Sequence, residues 1–94
     1  MPRYLIERVF DEMDDEALNQ LAADSKRIGI EQFPEIRWEH SHVVTDDEGN
    51  IKSYCVYSSP GQQLLHDHAT ALGRHQIRNV YEIGGDISPD DFPS

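Results

Sequence analysis

The chain has one cysteine, Cys55, and few basic residues: Lys and Arg total 8 against 18 Asp and Glu. One cysteine forms no internal disulfide, so the covalent framework of small secreted domains is excluded and no oxidising compartment is implied. The net charge of -10 argues against nucleic acid, whose phosphates need a basic surface, and against anionic membranes. It suits solubility and the attraction of cations, although much of the acid falls in turns and tail, where a solvated surface accounts for it. Also missing is any apolar run near the ~20 residues that a membrane helix requires. The opening MPRYLIERVF carries Arg3, Glu7 and Arg8 where a signal peptide has a long apolar region. These absences make a cytoplasmic protein the default expectation. Aromatics are sparse at 9%, and hydrophobic residues at 37% fall below the globular average. The expectation is one domain, 1–94, with a modest core, and a second copy that buries the apolar face this core leaves open.

What is present centres on Ile36 to Tyr57, IRWEHSHVVTDDEGNIKSYCVY, which reads as a β-hairpin. Two runs of β-branched and aromatic residues flank Thr45 to Asn50, whose carboxylates, Gly49 and Asn50 reverse a chain readily. Period-two alternation puts Ile36, Trp38, His40, His42 and Val44 on one face and groups Ile51, Ser53, Cys55 and Tyr57 on the return strand. A four-residue turn sets His40 opposite Cys55, so that imidazoles and a thiol share a face. A slip of one residue in pairing would turn Cys55 away.

Around the hairpin, Arg3 to Phe10 predicts a central strand with apolar residues on both faces, interrupted by Glu7 and Arg8. Asp14 or Asp15 caps a helix whose stripe is Leu18, Leu21, Ala22, Ser25 and Ile28, with Gly29 as its expected stop. After the hairpin, Ser59 as cap and Pro60 as first helical residue open a second helix. Its stripe is Leu65, His68, Ala69 and Leu72, and Gly73 ends it. Arg78 to Ile83 predicts a fourth strand, and 86–94 a tail. The order strand, helix, strand, strand, helix, strand is that of an α+β, ferredoxin-like sandwich with two helices on one sheet face. The bare face is the natural dimer surface.

Tyr4 to Arg8, Trp38-Glu39-His40-Ser41, Tyr54 to Tyr57, His68-Ala69 with Gly73 after it, and Glu82-Ile83 occur in order along nearly the whole chain. In these the sequence resembles a family of small ferredoxin-like proteins, filed as a domain of unknown function and typified by a nickel-binding member. That family usually has Tyr where this chain has His42. The resemblance implies homodimers of the dimeric α+β barrel type and binding of nickel or a similar divalent transition metal. It implies no assigned catalytic activity.

The residues themselves offer Glu7, His40, Cys55, His68 and Glu82 as a constellation that only folding could assemble. Imidazole and carboxylate suit nickel, zinc or copper, and a thiolate would shift preference towards softer ions. Each has a plainer reading. His68 is equally a core histidine bonded to backbone, Cys55 a small hydrophobe, Glu7 half of a bridge to an arginine, and Glu82 a solvated edge residue. His40 and His42, alternate on one strand, can both reach one ion, or are incidental imidazoles on an edge. The first functional expectation is a homodimer binding a divalent metal, nickel first, through His40 with His42, Glu7, Cys55 or His68. The alternative is a cofactor-free enzyme with His40 and Glu7 as acid and base in a pocket. An interaction module with incidental histidines stands third.

Overall fold

A computed structural model describes residues 1–93. The elements run β1 (Arg3–Phe10), α1 (Asp15–Gln32), β2 (Arg37–Thr45), β3 (Ile51–Ser58), α2 (Gln62–Leu72) and β4 (His75–Glu82). The strands form one antiparallel sheet in the order β2-β3-β1-β4. With two helices this is the ferredoxin-like α+β fold expected from the element order.

Central strand β1 alternates between two environments. Tyr4, Ile6 and Arg8 are buried towards the helices, while Leu5, Glu7 and Val9 lie on the open face and are only partly covered. Antiparallel pairing aligns Tyr57, Cys55 and Ser53 of β3 with Tyr4, Ile6 and Arg8. Tyr4, Ile6, Cys55 and Tyr57 meet Leu65 of α2 in the core, with Ile36, Ile77 and Val80 packed against them.

Helix α1 starts as expected: Asp14 Oδ1 accepts a hydrogen bond from the Ala17 amide at 2.8 Å. Leu21, Ser25 and Ile28 are its buried stripe. Gly29, expected to stop it, instead sits inside the last turns, and the Phe33 amide bonds to the Gly29 carbonyl at 3.0 Å. The true stop is Pro34, which pushes the preceding residue out of helical geometry; Phe33 has φ -131° and ψ 60°. Helix α2 starts at Gln62, later than expected, after Gly61 in extended backbone. Ser59 does not cap it. Its buried hydroxyl donates to the Gly61 carbonyl at 2.7 Å and so shapes the entry turn. Gly73, at φ 73°, does end α2, its amide bonding to the Ala69 carbonyl.

The hairpin pairs in a register that the turn alone does not reveal. From Thr45↔Ile51 to His40↔Val56 the partners run one residue out of the expected alignment, and a bulge between Trp38 and His40 restores it at Trp38↔Tyr57. His40 and His42 therefore lie with Val56 and Tyr54 on the open face, whereas Trp38 and Ser41 lie with Tyr57 and Cys55 on the helix side. The single-face grouping of Trp38, His40 and His42 is thus corrected, and so is the pairing of His40 with Cys55. The Trp38 ring stacks on Tyr57, and its Nε1 donates to Ser41 Oγ at 2.8 Å across the bulge. Strand β4 begins at His75, earlier than expected. Beyond it the Ile83 amide bonds to the Arg3 carbonyl at 2.8 Å, and Asp86 pairs with Arg3, so the start of the tail is tied to the sheet. Among the described residues no helix is long and apolar enough to cross a membrane.

Candidate functional site

The open face carries the imidazole pair. Strand β2 is an edge strand, so nothing beside it covers His40 and His42, and both are exposed. Their ring centroids are 5.5 Å apart with the planes at 79°. With metal–nitrogen bonds of about 2.1 Å, one ion between the rings is within reach of both.

A polar row runs across the same face. His42 pairs with Tyr54, Tyr54 with Glu7, and Glu7 with Asn79. Glu7 Oε1 accepts from Asn79 Nδ2 at 2.7 Å, and Oε2 accepts from Tyr54 Oη at 2.9 Å. The Asn79 and Tyr54 hydrogen bonds favour the charged form and hold Glu7 below the usual carboxylate range. The bond to Glu7 in turn raises the Tyr54 phenol. Glu7 makes no bridge to Arg8, because consecutive strand residues point to opposite faces. Two strand spacings, about 10 Å, separate Glu7 from His42, so within one chain they do not share an ion.

The helix-covered face holds the other candidates. His68 on α2 is fully buried, and its Nε2 donates to the Ser25 carbonyl of α1 at 3.0 Å. That fixes the tautomer: Nδ1 is a bare acceptor, buried and unpaired among the described residues. Burial pushes the His68 pKa down, with the Arg8 charge adding in the same sense. Cys55 is buried, and its Sγ lies 3.2 Å from Ser53 Oγ, as suits a small core residue. Glu82, on the last residue of β4, is solvent-exposed.

The five proposed ligands are therefore split by the sheet: Glu7, His40 and His42 on one side, Cys55 and His68 on the other. Among the described residues no three His, Cys, Asp or Glu side chains could hold a metal ion together. The hairpin register puts His40 and His42 on the open side, and the parity of β1, which pairs Glu7 with Tyr54 and Ile6 with Cys55, puts Glu7 there as well. The acid–base pair of the enzyme reading is not brought together: His40 on β2 and Glu7 on β1 have β3 between them.

A model of the family described as nickel responsive protein SCO4226-like matches residues 4–83. The chain belongs to this family. No curated protein matches the sequence. The match spans all four strands and both helices, so the family covers the whole sheet and the imidazole pair with it.

For a member of the SCO4226-like family, two residues passed over in the sequence have unusual surroundings. Arg8 is buried beneath the helices with its Cζ 5.3 Å from the Tyr57 ring centroid, and its Nη1 donates to His75 Nε2 at 3.1 Å. His75 Nδ1 donates to the Gly73 carbonyl at 2.8 Å, so both contacts require the neutral ring. Burial lowers its pKa accordingly. The signal for Arg8 was available: it has the strand parity of Tyr4, Ile6 and Phe10. His75 offered none before β4 was known to start there. On the helix side an open cleft of about 590 Å³ runs between α1 and the start of β2, floored by Tyr57 and His68 and edged by Trp38 and His40.

Proposed function

We propose that this protein binds a divalent transition metal, nickel first, through His40 and His42 on the open face of β2, and that a second copy completes the coordination shell. The observation that carries the reading is the separation of the two rings, 5.5 Å between centroids on an uncovered edge strand. The family description, nickel responsive protein, supports the choice of metal. Two imidazoles leave a nickel ion short of the four to six donors that its square-planar or octahedral preferences demand. Packing open face on open face about a two-fold axis would set a second imidazole pair, or a carboxylate such as Glu7, over the first. The same packing would cover Leu5 and Tyr81 of that face, which supports the homodimer of the dimeric α+β barrel kind. Cys55 and His68 take no part in this set, because the sheet lies between them and the ion. A cytoplasmic role in sensing or handling the metal fits the acidic composition.

Titration calorimetry of metal-free protein with nickel and with zinc tests the reading. Wild type and His68→Gln should release the same binding heat, and His40→Ala with His42→Ala should release none. Equal heats from wild type and the double variant would remove the site.

A further inference from the structure

The open cleft of about 590 Å³ between α1 and the start of β2 has the size of a small-molecule site, for which about 300 to 1,000 Å³ is usual. Ile30, Pro34, Ile36 and Trp38 give it apolar walls. Ile30 is 66% exposed and Trp38 38%, although the chain has few hydrophobic residues to leave in water. Trp38 is also held in place. Its ring stacks on Tyr57 with centroids 6.4 Å apart and planes at 11°, and its Nε1 is bonded to Ser41.

The unpaired charges at this cleft are positive. Lys26 lies one helical turn before Ile30 on the same side of α1, and Arg37 heads β2; both are lining residues and both are exposed. Neither takes part in an ion pair among the described residues. Glu39, the carboxylate of the lining, is already satisfied: Arg3 Nε and Ser58 Oγ donate to its Oε2 at 3.0 and 2.8 Å. The floor residues Tyr57 and His68 are 2% and 0% exposed, so recognition of charge falls to the rim. We propose that the cleft binds a planar aromatic carboxylate, with its ring against Trp38 and Ile30 and its charge at the rim by Lys26, to which Arg37 adds a second positive charge.

A ring is favoured because Trp38 offers a fixed aromatic surface beside the aliphatic one of Ile30 and Pro34, and a flat body covers both. A negative charge is favoured because two unpaired cations and a neutralised acid make this cleft an exception in a protein of net charge -10. The rim is open to solvent, where each ion pair adds little. An acid should therefore be preferred over its uncharged amide by about tenfold, and salt should shrink that preference.

The test uses the full chain without metal and follows the indole N–H resonance of Trp38, its single tryptophan, with benzoate as probe and benzamide as the uncharged control. Benzoate should move the resonance saturably and bind about tenfold more tightly than benzamide at low salt. Lys26→Gln combined with Arg37→Gln should bind the acid no better than the amide. Ile30→Gln should weaken both by the same factor, about fivefold. All three positions are exposed, so these variants should fold as wild type does. Equal affinities for acid and amide in wild type, a preference that survives in the Lys26, Arg37 double variant, or a Trp38 resonance unmoved by millimolar benzoate overturns the proposal. His42 is not a lining residue, so His42→Ala should lose nickel and keep benzoate, and the two proposals fail separately.

Discussion

Replacing Gly29 with Ala separates two accounts of how α1 ends, because they predict opposite signs. Gly29 is followed by helical residues through Gln32, and its carbonyl receives the Phe33 amide, so it occupies helix interior. There an alanine is favoured over glycine by about 1 kcal/mol, through the backbone freedom that glycine loses on folding. The added Cβ would lie 3.8 Å from His68 Nε2, ordinary van der Waals contact, so no overlap offsets the gain. For a chain of this size a gain of about 1 kcal/mol raises the melting temperature by roughly 4–8 °C. Were Gly29 the left-handed residue beyond a helix end, alanine would instead cost about 1–2 kcal/mol and lower the midpoint. Thermal unfolding followed by circular dichroism, checked by urea denaturation, gives the sign. A fall in both midpoints would refute the continuation of α1 to Gln32.

Three further outcomes follow from the contacts described. Asp14→Ala removes the side-chain cap on the Ala17 amide and should cost about 1 kcal/mol in urea unfolding, while Asp15→Ala should cost much less. Asn79→Ala removes the strongest hydrogen bond holding Glu7 charged, so the Glu7 carboxyl titration seen by NMR should move up towards the ordinary carboxylate value of 4.5. Stability should decline on mild acidification: His68 and His75 both have folded pKa values below the ordinary 6.5, so the unfolded chain binds protons first. Their contribution is complete above pH about 6.5 and erodes as pH falls towards the folded values, by up to about 1.4 kcal/mol per pH unit for each ring. Urea midpoints between pH 7.5 and 5.5 measure it, and a flat profile in wild type would contradict the neutral, buried rings.

The fold was legible because its signals repeat over many residues. Alternation in Arg3–Phe10 and the three-and-four spacing of Leu21, Ser25 and Ile28 average over single exceptions, and the element order then leaves few topologies. Single-residue inferences fared unevenly for a physical reason. Gly73 and Gly29 are the same residue, but Gly73 takes a positive φ after the last apolar position, whereas Gly29 keeps helical backbone and α1 runs on to Gln32, ahead of Pro34. The bulge beside Glu39 has no glycine or proline to announce it. It is stabilised by contacts from elsewhere in the sheet, Glu39 with Arg3 and Ser58 and Trp38 with Tyr57, and by the local bond from Trp38 to Ser41. A one-residue change of register reverses the face of a strand: with Thr45 paired to Ile51 the loop holds one residue more than expected, which turns His40 and His42 away from Cys55, while Glu7 stands across the sheet from Cys55 by the parity of β1.

That division also determines what each face can do. His40 and His42 are exposed in a protein of net charge -10, a setting that attracts cations and leaves both imidazoles open to solvent. Beneath the sheet the order is inverted: burial disfavours the charged form of His68 and His75, carbonyl acceptors fix which ring nitrogen carries the proton, and the charge there is the cation of Arg8. Glu7 and Arg8 are adjacent in sequence and opposite in sign, yet strand parity keeps them from neutralising each other. Glu7 is satisfied by neutral donors on the open side, and Arg8 keeps two donors vacant on the covered side. The alternation of β1 is thus what keeps a carboxylate on the open face and a buried cation beneath it, back to back on one small sheet.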